Sequence, residues 1–85
     1  MSKRNLGDKV RIRSDIDLKE YIDPIFVIAK NVNNIYDLAG RTGIVERIEN
    51  YGVDDLCCIR FDDGFAWVLE TALESIKSAK EASND

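Results

Sequence analysis

Two adjacent pairs of aspartates, Asp54–Asp55 and Asp62–Asp63, are the densest concentration of chemistry-bearing side chains in the chain. Carboxylates gathered at the end of a hairpin are the donors a hard divalent cation takes. Neighbouring side chains diverge, however, and aspartates in turns ordinarily bond their own backbone. Both pairs therefore read as turn chemistry, and no metal is assigned. The chain has no histidine, so general acid–base work would fall to carboxylates, lysine or tyrosine. No serine or cysteine has a base close by in sequence, and no glycine-rich loop opens a helix in the manner that cradles phosphate. Cys57 and Cys58 are neighbours that a strand points to opposite faces, badly placed for a mutual disulfide. Two thiols without histidine make no zinc site. The reading is a chain with no catalytic residues and no cofactor.

Binding chemistry is better represented. Lys3, Arg4, Lys9, Arg11, Arg13, Arg41 and Arg47 carry most of the positive charge. Residues 1–47 hold 9 Lys/Arg and 7 Asp/Glu, a balance of +2, whereas residues 48–85 hold 3 and 9, a balance of −6. The whole chain carries −4, which handicaps any contact with phosphate backbones. Arg11, Arg13, Arg41 and Arg47 are the candidates for a local basic face; the alternative is a solvated strand face that discourages edge pairing. Among the aromatics, Phe61, Phe65 and Trp67 stand at strand spacing and are assigned to the core. Tyr51, beside Gly52 in a polar loop, is expected to be exposed. Ala66 and Val68 alternate with Trp67, so both faces of their strand are apolar. Such a strand needs a cover, supplied either by a partner or by another part of the chain.

The elements that position these residues follow from period and punctuation. Gly7–Arg13, GDKVRIR, alternates Val10 and Ile12 against Lys9, Arg11 and Arg13, a half-buried strand. Ser14–Asp23 is loop with one helical turn, stopped at Asp23–Pro24. Ile25–Ala29, IFVIA, is apolar throughout and fits a buried strand or a helix start. A short helix is expected from Val32 to Ala39, capped by Asn31, Asn33 or Asn34 and ended by Gly40. Gly43 opens the next strand, Thr42–Glu49, whose broken alternation implies covered faces or a bulge near Glu46. Leu56–Phe61 and Phe65–Leu69 form a hairpin around Asp62-Asp63-Gly64, with Asp63–Gly64 expected as its type I′ turn. A tight turn over Glu70–Leu73 and a last strand over Glu74–Ile76 complete a domain spanning residues 7–76. Residues 1–6 read as a flexible terminus and 77–85, KSAKEASND, as a disordered tail.

The sum is a mostly β chain, a small five-stranded antiparallel barrel with a short helix in the long loop between its first two strands. GDKVRIR, AGRTGIVERI and IRFDDGFAWVLETALESI together resemble the layout of SH3-like barrels. The Gly-x-x-Gly turn at Gly40–Gly43 is similar to the KOW motif. The long loop before that turn resembles small SH3-like proteins encoded by phages and prophages, the YorP-like proteins among them. The resemblance implies a phage or prophage source; the lack of catalytic residues and the strand Phe65–Leu69, apolar on both faces, make the first reading a non-catalytic module that binds a protein partner. A variant has Asp54, Asp55, Asp62 and Asp63 mimicking nucleic-acid charge against a host enzyme. The KOW likeness implies the alternative, RNA or DNA binding through Arg11, Arg13, Arg41 and Arg47. No apolar run is long enough to span a bilayer and the N-terminus lacks an apolar signal core. The expected setting is the cytoplasm of a bacterial host cell.

Overall fold

The computed structural model describes residues 4–52 and 54–76. Six strands form one antiparallel sheet: β1 Lys9–Ile12, β2 Val27–Ala29, β3 Thr42–Tyr51, β4 Asp54–Phe61, β5 Gly64–Leu69 and β6 Leu73–Ser75. Their order is β2-β5-β4-β3-β1-β6, an open sequence with β2 and β6 at its edges. The sheet thus has one strand more than the five expected. The addition is β2, drawn from the ambiguous IFVIA stretch and paired through Ile28 and Phe65.

The long loop contains no α-helix among the described residues. In place of the helix expected over Val32–Ala39 there is a four-residue 3-10 turn, Ile35–Leu38. Asn34 caps it by accepting from the Tyr36 N–H, and Asp37 reaches back to the Asn33 and Asn34 amides. That capping box closes a single turn, and Gly40 with φ of +79° reverses the chain immediately after it. Two further 3-10 turns, Leu18–Glu20 and Pro24–Phe26, are capped by Asp17 and Asp23. A fourth, Glu70–Ala72, leads into β6.

The core is a layer of small aliphatic side chains under the curved sheet. Val10 and Ile12 of β1, Val45 of β3, Cys57 and Ile59 of β4, and Ala66 and Val68 of β5 all face it. Leu18, Ile22, Ile35 and Leu38 of the long loop close it from the other side. The register along β3 and β4 shifts between Val45 and Arg47, a bulge at the expected position, which lets Val45 and Ile48 both turn inward. Gly43 lies so close to β4 that a methyl group there would meet Ile59 Cγ2 at 2.5 Å.

The β4–β5 hairpin differs from expectation in two ways. Phe61 pairs with Gly64, so the two turn residues are Asp62 and Asp63 rather than Asp63 and Gly64. Among the described residues none other than glycine has positive φ, Asp62 and Asp63 included, which excludes the type I′ turn. Gly64 is needed for another reason: a Cβ on it would lie 1.8 Å from the Ile28 carbonyl oxygen of β2. The second difference concerns the aromatics. Phe61 faces the core, but Phe65 is 38% exposed and Trp67 half-buried on the opposite face. A two-residue turn sets directly opposed residues on one face, so Phe61 shares its face with Gly64 and Ala66, and Phe65 and Trp67 share the other.

Candidate functional site

The outer face of the sheet carries exposed apolar side chains interleaved with basic ones. Ile28, Phe65, Arg60, Ile44 and Lys9 are successive register partners across β2, β5, β4, β3 and β1. Ile28 is 57%, Phe65 38% and Ile44 41% exposed, so this row presents apolar side chains with Arg60 between Phe65 and Ile44 and Lys9 at its end. The next row places Trp67 beside Cys58 and Cys58 beside Arg47. Ile25 and Phe26, exposed at 73% and 45%, extend the same surface past the end of β2. Monomeric proteins scatter single exposed hydrophobic residues, whereas a contiguous group of them marks a contact surface.

Next to these rows the loop does not close down on the sheet. A groove of about 470 Å³ runs between the 3-10 segments and the outer face of β4 and β5. Trp67, Leu56 and Leu69 form its sheet side; Tyr21, Pro24 and Phe26, together with the charged Lys19, Glu20 and Asp23, form its loop side. The Leu69 amide donates to the Tyr21 carbonyl at 3.1 Å, which anchors one end of the loop to β5. At the other end the Lys30 amide donates to the Asp63 carbonyl. Between the two anchors the groove stays open. The loop thus covers part of the second apolar face of β5 and leaves the rest exposed.

The arginine candidates are held differently. Arg11 bonds Glu74 at 3.0 Å, and Arg13 forks Asp15 at 2.9 and 3.0 Å. Arg47 lies 3.7 Å from Glu49. Arg41, expected to be exposed in the glycine turn, is largely enclosed: its guanidinium grips both oxygens of Asp63 and lies 5.2 Å from the centre of the Phe61 ring. The turn and β1 do meet, since Ile12 exchanges backbone bonds with Gly40 and Arg41. Yet Arg47 stands five residues along β3 from Thr42, the partner of Arg11, a separation of roughly 15 Å. No single cationic patch results, and each of the four arginines already neutralises a carboxylate.

The aspartate pairs also have internal duties. Asp63 accepts from Arg41 and from the Asn31 amide, which hold its carboxyl well below the usual carboxylate range. Asp54 accepts from the Thr71 hydroxyl at 2.7 Å, tying the start of β4 to the last 3-10 turn. Among the described residues no cluster of three or more metal-ligating side chains exists. Cys57 and Cys58 are free and buried; burial pushes the Cys57 thiol up to about 11 and raises Cys58 as well. Arg4, placed by sequence in the terminal segment, lies 3.4 Å from Glu70 and donates to the Leu73 carbonyl.

Of the two aromatic candidates, Trp67 is in the groove. Tyr51 ends β3 opposite Asp54, and its side chain lies outside the described residues, as does the tail at 77–85. Leu56, Leu69, Pro24 and Phe26 were not among the candidates. Their signal was the apolar character of both faces of β5, which showed that a second contact surface existed without showing which loop residues would border it. No helix of the described residues is long and apolar enough to cross a membrane. No family model, curated protein or solved structure matches the chain.

Proposed function

We propose that the chain is a non-catalytic interaction module of the SH3-like barrel kind that binds a protein partner through the groove at Trp67. The observation that carries the reading is a groove of about 470 Å³ lined by Leu56, Trp67 and Leu69 from the sheet and by Tyr21, Ile22, Pro24 and Phe26 from the loop, with Lys19, Glu20 and Asp23 also in its lining. That mixture suits a protein ligand, because apolar anchors dominate affinity and neighbouring charges add orientation. Two features support the barrel assignment. The first is a long loop between β1 and β3; the second is a 3-10 turn between β5 and a last strand that returns to β1. A phage or prophage source rests on the resemblance of GDKVRIR, AGRTGIVERI and IRFDDGFAWVLETALESI and of the long loop, and a bacterial cytoplasmic setting on that source together with the sequence's lack of a spanning run and of an apolar signal core. Nucleic-acid binding is the weaker reading, since Arg11, Arg13, Arg41 and Arg47 are each occupied by a carboxylate.

The test is capture of partners by the tagged chain from a bacterial host lysate, with and without nuclease. The captured protein is then titrated against the parent and Trp67→Ala. The expected result is a partner that survives nuclease and binds the variant at least tenfold more weakly, roughly the loss of one central anchor. Circular dichroism of Trp67→Ala checks that the sheet persists, and Phe26→Ala, altering an exposed loop residue, provides a second variant. Capture that disappears with nuclease, or binding indifferent to both substitutions, would overturn the reading.

A further inference from the structure

The open edge of β2 carries a second inference, independent of the groove. The Lys30 amide donates to the Asp63 carbonyl, and the Ile28 carbonyl lies against Gly64. Residues 28 and 30 thus turn their backbone groups toward β5. Antiparallel alternation then sends those of Val27 and Ala29 to the opposite edge. The Val27 N–H is already given to the Pro24 carbonyl. The Val27 carbonyl and the Ala29 N–H remain, and among the described residues no loop backbone bond reaches either.

We propose that this edge pairs with the same edge of a second copy, antiparallel, about a two-fold axis at Ile28. One acceptor and one donor two residues apart are self-complementary under that symmetry: Ala29 N–H of each copy meets the Val27 carbonyl of the other. A second copy fits better than an arbitrary strand because the pairing needs neither the occupied Val27 amide nor any group the edge lacks. Charge agrees. Lys30 stands at one end of β2 and Glu20 and Asp23 lie beyond the other, and none of the three makes an ion pair among the described residues. Antiparallel pairing brings the basic end of each copy toward the acidic end of its mate. The side chains agree too: Ile28, 57% exposed, meets its own copy, with Phe65 beside it in β5. The two open sheets join into one, and an exposed edge that would otherwise template unspecific pairing is closed.

Sedimentation velocity on the full chain from about 10 μM to about 1 mM, the range in which a small interface associates, reads the assembly. The expected result is a monomer–dimer equilibrium in which the Ala29 amide exchanges more slowly as dimer accumulates. Ile28→Lys, at an exposed position, should raise the dissociation constant by about tenfold or more. Lys30→Glu should weaken the dimer in the same direction and serves as the reading if Ile28→Lys loses its native circular dichroism. A monomer at every concentration overturns the proposal, as does a dimer that both variants form unchanged or in which the Ala29 amide gains no protection. The groove reading is judged separately, because its capture experiment concerns a different protein and Trp67.

Discussion

The Arg41 guanidinium bonds both oxygens of Asp63, Nη1 to Oδ1 at 2.7 Å and Nη2 to Oδ2 at 3.1 Å, across 22 positions of sequence. This pair fastens the glycine turn to the tip of the β4–β5 hairpin. Because Asp63 also accepts from the Asn31 amide, the hairpin tip, the glycine turn and the start of the loop after β2 meet at one carboxylate.

That junction predicts a pH-dependent stability. Asp63 titrates lower in the folded chain than in the unfolded one, where an aspartate has a pKa of about 3.9. Its stabilisation is therefore complete above the unfolded value and declines as pH falls below about 4. The exposed Asp15, lowered by its bond from Arg13, acts in the same direction. Thermal melts from neutral to acid pH should show a falling midpoint in the parent and a shallower fall in Asp63→Asn. Arg41→Ala should cost about 1–2 kcal/mol at neutral pH through lost charged hydrogen bonds and ring contact. Equal acid sensitivity of parent and Asp63→Asn would show that the junction does not carry the effect.

Gly64 and Gly40 should respond differently to alanine. At Gly40 the φ of +79° is the only obstacle, with open space around the added methyl, so Gly40→Ala should cost about 1 kcal/mol. At Gly64 the methyl would drive into the backbone of Ile28 and Ala29. Displacing β2 should cost about 3 kcal/mol or more. Urea unfolding of the two variants provides the comparison; indistinguishable midpoints would mean that β2 is not docked on β5 as described.

Nucleic acid should not bind measurably at about 0.15 M salt, where screening limits attraction to roughly 8 Å. Each candidate arginine faces a carboxylate that offsets part of its charge. Gel shifts with RNA and duplex DNA should show no complex for the parent or for the double reversal Arg11→Glu, Arg13→Glu. Submicromolar, salt-sensitive binding that the reversal abolishes would favour the nucleic-acid reading over the groove.

Thiol labelling should report unfolding rather than surface chemistry. Both cysteines are buried and their thiolates disfavoured, so alkylation at neutral pH should be slow in the folded chain and fast in urea. Labelling as rapid as that of a free thiol in native buffer would contradict the burial of Cys57 and Cys58.

The strands of the middle of the chain were legible because alternation, turn residues and β-branched runs are local signals. Val10 and Ile12 face inward as their period requires, and the broken pattern around Glu46 coincides with the register shift between Val45 and Arg47. The same locality explains the helix that is absent over Val32–Ala39. Asn34 and Asp37 form a sound cap, but four residues before a reversing glycine complete only a 3-10 turn. The aromatic assignment failed for a different reason. Phe61, Phe65 and Trp67 are assigned together to the core from both strands of the hairpin, although a two-residue turn between Phe61 and Gly64 puts Phe61 on the face opposite Phe65 and Trp67.

By itself, then, the sequence determined most of the extended segments, the reversal at Gly40, and that β5 is apolar on both sides. Only the tertiary structure decided which side is core. Ala66 and Val68 are small enough to lie under the curved sheet against Ile59 and Cys57, which leaves the bulk of Phe65 and Trp67 outside. It also decided which charges are spent. Arg41 reads as an exposed cation from its neighbours in sequence, and becomes a fastening because folding brings Asp63 to it. The open groove beside Trp67 and the free edge of β2 have the same origin: both depend on how far the long loop reaches across the sheet, a distance set by its anchors at Leu69 and Asp63.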